Sequence, residues 1–320
     1  MASRRRVVVT GLGALAPNGS DLKSFWDGLV NGRSGIGFIS RFDTTDHRAK
    51  IAGEVKDFDL STALDSKEVR TNDPFTHYGV YAATQAVVDA GLTIDERDAE
   101  RVGVIWGSGI GGIATHEQQH SVLTEKGPKR ISPFLVPMMI IDMAAGMISM
   151  KLGAKGPNFA TVSACASASH AIGEAARKIQ YGDADVMITG GSEAAVTATS
   201  VGGFASSRAL SMRNDEPTRA SRPFDKDRDG FVMGEGAGAI VLEELEGALA
   251  RGATIYGEFF GLGFTADAYH QTAMAPEAEG GTRAIGLALA DAGLSCESID
   301  YINAHGTSTP AGDVTEVQAV

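Results

Sequence analysis

Two cysteines in 320 residues, Cys165 and Cys296, leave no disulfide framework. That argues against a secreted, cystine-stapled fold and fits a reducing, cytoplasmic setting. Basic charge is also short: 28 Lys and Arg stand against 40 Asp and Glu, a net charge of −12. A chain of that sign is not expected to bind nucleic acid, and an acidic macromolecular partner would need a local basic patch. Long apolar runs are missing as well. The N-terminus opens with arginines, but the apolar stretch behind them, Val7-Val-Val, is too short for a signal peptide. The most membrane-like segment, Phe134 to Leu152, is interrupted by Pro137, Asp142 and Gly146. It is at the short end for a membrane span. It reads as a Met-rich buried helix, a candidate for a subunit interface, and no membrane association is expected.

What is present is an α/β chain. It is 43% hydrophobic with 40 glycines, many of them in strand-end loops, enough for one large domain or two. Strands alternate with helices, the pattern of a mostly parallel sheet. The most informative position is Cys165. Before it, Asn158 to Ala164 is short and apolar behind Gly156-Pro157, and reads as a buried strand. After it, Ala166 to Gln180 reads as a helix closed by Tyr181-Gly182, and Asp185 to Thr189 as the next strand. A thiol at such a turn faces the positive end of the helix dipole, which favours the thiolate. Serine nucleophiles use the same geometry. Free cysteine is also a common small core residue, so spacing alone leaves both readings open.

Two stretches resemble each other in order. Val7 to Gly13 is matched by Gly257 to Gly263, and Asp89-Ala-Gly-Leu92 by Asp291-Ala-Gly-Leu294. Each Asp-Ala-Gly-Leu precedes a predicted strand, Val102 to Trp106 and Ile299 to Asn303, that runs into a small-residue loop. This order implies duplication of one α/β unit. The second copy is much shorter, so roughly 90 to 130 further residues are expected after Val320, by analogy with the first copy.

Three patterns compete with that reading. Gly11-Leu-Gly-Ala-Leu-Ala16 and Gly107-Ser-Gly-Ile-Gly-Gly112 resemble dinucleotide fingerprints. Pro17-Asn-Gly19 breaks the helix the first would need, and the second lacks a following strand with an acidic ribose ligand. His116-Glu-Gln-Gln-His120 has the spacing of a zinc-protease helix. Its neighbours Gln118, Gln119, Glu125 and Lys126 give it the character of a polar surface helix. A zinc-dependent hydrolase remains the competing function class. Among the seven histidines, His305 stands out. It follows the predicted strand Tyr301 to Ala304 and opens Gly306-Thr-Ser-Thr-Pro310, where α/β folds gather catalytic groups. A histidine satisfied at a strand end is the plain alternative. His47, His77 and His170 read as structural.

Thr161-Val-Ser-Ala-Cys-Ala-Ser-Ala-Ser-His170 resembles the active-site cysteine motif of the β-ketoacyl-acyl-carrier-protein synthases. Asn303-Ala-His-Gly-Thr-Ser-Thr-Pro-Ala-Gly-Asp313 resembles their first histidine motif. Arg222-Pro-Phe-Asp225, Asp229 to Gly238 and Gly190-Gly-Ser-Glu193 add to the likeness, which covers all 320 residues and is strongest to the branch that elongates fatty acyl chains. The resemblance implies a thiolase-like fold, two duplicated α/β halves in a five-layer αβαβα arrangement, usually a homodimer. The halves would be residues 1–250, carrying the nucleophile, and 251–320, the start of a C-terminal half that is incomplete here. It implies a decarboxylating Claisen condensation of malonyl- and acyl-carrier protein, with Cys165 acylated and His305 stabilising charge on the malonyl thioester oxygen. The Cys165 backbone N–H would serve an oxyanion hole. Thr307 and Thr309 would contact the pantetheine arm, and Ile110 would line the acyl pocket. Lys67, Arg70, Lys129, Arg130 and Arg208 would dock the acidic carrier protein. No cofactor and no metal are implied; the pantetheine arrives on the carrier.

The sequence departs from the family in places. The second catalytic histidine, its nearby lysine and the Gly-Phe-Gly-Gly loop lie downstream of the first histidine motif in the family and have no counterpart here. Ser169 stands where a glycine is common. The 320 residues alone are therefore expected to be inactive and poorly soluble, with apolar surface open around Val162 and Ile285 to Leu289. A non-catalytic partner subunit is a further alternative.

Overall fold

The computed structural model describes residues 4–320; residues 1–3, the start of the basic N-terminal stretch, lie outside the described residues. Contacts group the chain into two units. The first holds the described residues up to Ile36, Gly53–Ser200 and Gly234–Phe259. The second holds Gly37–Ala52, Val201–Met233 and Phe260–Val320.

In chain order the strands are β1 Val7–Leu15, β2 Gly37–Phe38, β3 Ile51–Ala52, β4 Val102–Gly107, β5 Asn158–Thr161, β6 Val186–Glu193, β7 Gly236–Glu244 and β8 Gly257–Phe259. Six of them form the sheet of the first unit, in the order β5-β4-β6-β7-β1-β8. Only β5, β4 and β6 run parallel. The pairings β6–β7, β7–β1 and β1–β8 are antiparallel. This corrects the mostly parallel expectation, because alternating strands and helices do not encode the direction in which β7 returns. β2 and β3 form a small antiparallel pair in the second unit.

The sheet buries both faces, so its central strands carry apolar residues at successive positions. Val104, Trp106, Ile188 and Val241 face one cluster, completed by helix α1, Pro74–Asp89, and by Met147 and Ile148 of a later helix. Ile105, Met187 and Leu242, one residue out of phase, face the other, completed by Ala171, Ala175, Ala176 and Ile179. Each buried Val, Ile, Leu or Met side chain among these contributes about 1.5–3 kcal/mol, and each alanine less.

Helix α1 starts where the sequence dictates. Asp73 caps it, accepting from the Phe75 N–H at 3.2 Å, and Pro74 opens its first turn. Its alanines then let β1 come close. A Cβ on Gly13 would stand 2.0 Å from the Ala82 carbonyl oxygen, and one on Gly11 2.2 Å from that of Ala86. The Leu12 N–H donates to Asp89 at 2.9 Å.

The second unit repeats this arrangement with helix α5, Glu279–Ala292. A Cβ on Gly263 would stand 2.0 Å from the Ala284 carbonyl oxygen, and one on Gly261 2.6 Å from that of Ala288. The Leu262 N–H donates to Asp291 at 3.1 Å. Both pairs of sequence matches are therefore one physical contact made twice: a Gly-x-Gly backbone laid on an alanine-faced helix and clamped by the aspartate near that helix's end.

Three expectations change. β5 is the edge strand, half-exposed rather than buried, and it ends at Thr161, with Val162 59% exposed. Phe134 to Leu152 is not one buried helix: Leu135–Met139 and helix α3, Met143–Leu152, are separate. The break falls at Ile140–Asp142, and Phe134, Val136, Ile140 and Met150 are exposed. Ile299 to Ala304 is not a strand, since among the described residues no neighbouring strand supplies the ladder bonds that would make it one.

Candidate active site

The residues around Cys165 form a sharp turn. After β5 the chain enters a single 3-10 turn, Ala164–Ala166, which leads directly into helix α4, Ser167–Gln180. Ala164 has φ +51°, a left-handed conformation that an L-residue holds at a cost of about 1–2 kcal/mol. The surroundings enforce it. Buried Ser167 accepts from the Ser163 N–H at 2.9 Å and donates to the Ala164 carbonyl at 2.7 Å. Thr161 donates to the Ser167 carbonyl at 2.8 Å, and His170 Nδ1 lies 2.6 Å from Ser163 Oγ.

The helix can approach the sheet so closely because of glycine. A Cβ on Gly107 would stand 2.4 Å from the Ser167 carbonyl carbon, and one on Gly191 2.8 Å from the Ala168 Cβ. No side chain caps the start of α4 or of the turn before it. Cys165 is thus exposed at an uncapped helix start, where backbone N–H groups favour negative charge. Cys296 is exposed too, and neither cysteine is in a disulfide.

Beside this turn lies the loop Ser108 to Gly112 that follows β4. Its donors converge on Glu193, the last residue of β6. Glu193 Oε2 accepts from the Gly109 and Ile110 N–H groups at 2.8 and 3.0 Å. Oε1 accepts from Ser108 Oγ and the Gly111 N–H at 3.0 and 3.1 Å. Burial pushes this carboxyl above the usual carboxylate range, and the four donors oppose that shift. The same bonds dispose of the fingerprint at Gly107 to Gly112: N–H groups that would cradle a phosphate already hold the chain's own carboxylate. Ile110 is 38% exposed in this loop. A Cβ on Gly109 would lie 3.2 Å from the Ala164 carbonyl oxygen, so the Ile110 loop and the Cys165 turn are brought together.

His305 belongs to the second unit. It is exposed, and it sits in a loop rather than at a strand end. The loop is folded back on helix α6, Pro310–Ala319. Glu316 accepts from the backbone N–H groups of His305 and Gly306. Buried Asp313 accepts from the Ser308 N–H at 3.0 Å and the Phe224 N–H at 2.7 Å, and pairs with Arg228 at 3.1 Å. His305, Thr307, Ile285, Ile302 and Glu316 line a cavity of about 470 Å³. Thr309 instead caps α6, accepting from the Gly312 N–H at 3.2 Å, with its hydroxyl 2.9 Å from that of Thr307.

Lys67, Arg70, Lys129, Arg130 and Arg208 are all exposed. His116 and His120 lie on the exposed side of helix α2, Ile113–Lys126, with ring centroids 6.5 Å apart. Glu117 between them accepts from the Thr199 N–H at 2.9 Å. Among the described residues, no three His, Cys, Asp or Glu side chains are placed to hold a metal ion. His77 is a core histidine against the Val69 carbonyl, and burial lowers its pKa.

Sequence reasoning did not assign roles to Ser167, Glu193, Asp313 and Glu316. The first three lay inside motifs that were read for their neighbours, and nothing local marked them.

A mixed α/β unit with an exposed thiol on a strained strand-to-helix turn is the framework of a cysteine acyltransferase of thiolase-like fold. The comparisons with known proteins narrow this. Residues 4–248 match the model of the β-ketoacyl synthase N-terminal domain and residues 256–320 that of the C-terminal domain. The chain belongs to the β-ketoacyl synthase family, and it is a condensing acyltransferase. It is 58% identical over 317 residues to 3-oxoacyl-[acyl-carrier-protein] synthase 2 of Synechocystis, covering 99% of this chain and 76% of that protein. A β-ketoacyl synthase crystal structure from Burkholderia phymatum matches with a TM-score of 0.90 at 37% identity, over 98% of this chain and 77% of that one. A type II polyketide ketosynthase in complex with its acyl-carrier protein matches with a TM-score of 0.84 at 34% identity, over 99% of this chain and 77% of that one. The expectation that these residues alone are inactive gains no support, since 99% of the chain aligns with the Synechocystis relative. No helix among the described residues is long and apolar enough to cross a membrane.

Proposed function

We propose that the chain condenses malonyl-carrier protein with acyl-carrier protein, with loss of carbon dioxide, to give a 3-oxoacyl-carrier protein in fatty acid elongation. The observation that carries this reading is the Cys165 thiol, exposed at an uncapped helix start on a turn held by Ser167. The thiolate attacks the acyl thioester, forms a new thioester at Cys165 Sγ and expels the carrier's thiolate. Malonyl-carrier protein then loses carbon dioxide, and the electron pair of the broken C–C bond becomes an enolate. Its carbon attacks the Cys165 thioester, the new C–C bond forms, and the cysteine thiolate leaves. His305 stabilises the developing charge on the malonyl thioester oxygen, and the Cys165 N–H that on the acyl oxygen.

In this reading Thr307 and Thr309 meet the pantetheine arm, and Ile110 lines the acyl site. Lys67, Arg70, Lys129, Arg130 and Arg208 dock the carrier protein. The relatives' names, and the carrier-protein complex of the polyketide ketosynthase, support that partner. The active unit is a homodimer in a reducing compartment, residues 1–250 and 251–320 belong to its two duplicated halves, and the reaction needs no cofactor. The test supplies acyl- and malonyl-carrier protein and follows product by mass spectrometry. A 3-oxoacyl product that disappears in Cys165→Ala supports the reading. Product that persists in Cys165→Ala overturns it.

A further inference from the structure

We propose that Glu193 is a positioning residue for acyl transfer: its carboxylate fixes the Ser108–Gly111 loop and so sets where an acyl chain leaving Cys165 lies. The inference rests on the reading of Cys165 as the acylated residue. Three consecutive backbone N–H groups and one hydroxyl converge on this one side chain, at 2.8 to 3.1 Å. Every one of those partners is a donor, so only a group that accepts through both atoms satisfies them all. A glutamine would turn an NH2 toward N–H donors and push part of the loop away. The loop is not otherwise regular: Gly111 has φ +72°, and its N–H is shared with Ser108 Oγ at 3.2 Å.

Position gives the clasp its consequence. Gly191 of β6 is in register with Gly107 of β4, so Glu193 and the loop emerge at the same end of the parallel strands as the Cys165 turn. The loop abuts Ala164, the strained residue before the nucleophile, through Gly109. Ile110, the next residue, presents a partly exposed apolar side chain while its own N–H is held by Glu193. With Ile110 lining the acyl site, as the proposed function has it, a long acyl chain on Cys165 has far more surface to place against that side chain than a two-carbon one. Loosening the clasp therefore penalises long acyl chains selectively.

The experiment measures acylation of Cys165 by acetyl and by long-chain acyl thioesters of the carrier protein, in wild type, Glu193→Gln, Glu193→Asp and Ser108→Ala. Iodoacetamide alkylation of Cys165 and thermal unfolding are followed in parallel. In Glu193→Gln, the long-chain rate is expected to fall about tenfold or more relative to the acetyl rate, since misplacement by about 1 Å can cost up to 100-fold. Alkylation is expected to stay within about twofold, because a small reagent does not pass Ile110. Glu193→Asp and Ser108→Ala are expected to shift the same ratio by less. Equal losses for both chain lengths, or an unchanged ratio, would make Glu193 merely structural and overturn the proposal. A wild-type protein acylated by neither thioester contradicts the reading of Cys165 itself, and the role of Glu193 falls with it.

Discussion

Replacing Gly13 with alanine tests the account of how β1 meets α1. The new Cβ would sit 2.0 Å from the Ala82 carbonyl oxygen and 2.9 Å from the Ala86 nitrogen. Ordinary contact begins near 3.4 Å, so strand and helix would have to separate by more than 1 Å. Both obstacles are backbone atoms, and no rotamer change relieves them. Overpacking of this kind costs about 1–3 kcal/mol, and a backbone clash belongs at the upper end or beyond. At about 2.1 cal/mol/K of unfolding entropy per residue, about 3 kcal/mol lowers the Tm of this 320-residue chain by about 4–5 °C. Gly238 is the control: it lies on the neighbouring strand β7, paired with Ala14 of β1, and a Cβ there meets nothing within 4 Å. Gly238→Ala is expected to be neutral or to stabilise by up to about 1 kcal/mol, by restricting the unfolded chain. Gly263→Ala should repeat the Gly13 result in the second unit, where its Cβ would meet the Ala284 carbonyl oxygen at 2.0 Å. Thermal unfolding followed by circular dichroism reads all three. Equal Tm shifts for Gly13→Ala and Gly238→Ala would refute the close-approach argument.

The Asp185 carboxyl titrates at about 2, held down first by hydrogen bonds from Arg101 and also by Arg5, against partial burial. Its folded value lies below the unfolded 3.8, so its stabilisation is full at neutral pH and is lost as pH falls through that interval. Discounted for partial exposure, it amounts to about 1 kcal/mol. Asp185→Asn should therefore lower stability at pH 6 and leave it nearly unchanged at pH 2; urea midpoints at both pH values check this. His116→Ala and His120→Ala should leave acylation of Cys165 and bound metal content unchanged, and a zinc-dependent loss in either assay would revive the hydrolase reading.

The cysteine turn was legible because every cue was local: Gly156-Pro157 before the strand, a run of small residues after it, and a glycine past the helix. The duplication was legible for a steric reason. Gly11, Gly13, Gly261 and Gly263 sit where only glycine fits, and Asp89 and Asp291 clamp the same backbone position, so the shared contact left a shared spelling. Sheet direction was not legible, because the apolar pattern of β7 is the same whether it runs with or against β6. The span Ile299 to Ala304 has strand composition, but pairing is a property of neighbours. Glu193 was missed because its partners lie 82 to 85 residues away, and a lone acid after Gly-Gly-Ser carries no local sign of what it accepts. Glu316 was missed for a similar reason: its bonds go to the backbone of a loop rather than to a recognisable side chain.

The central claim is that Cys165, and no other group, receives the acyl chain. Incubating the protein with acyl-carrier protein alone, then digesting it and locating the acyl mass by tandem mass spectrometry, tests that claim directly. One thioester is expected, on the peptide containing Cys165 and absent from Cys165→Ala. An adduct on Cys296, which is also exposed but lies outside any strand-to-helix turn, or no adduct at all, would contradict it.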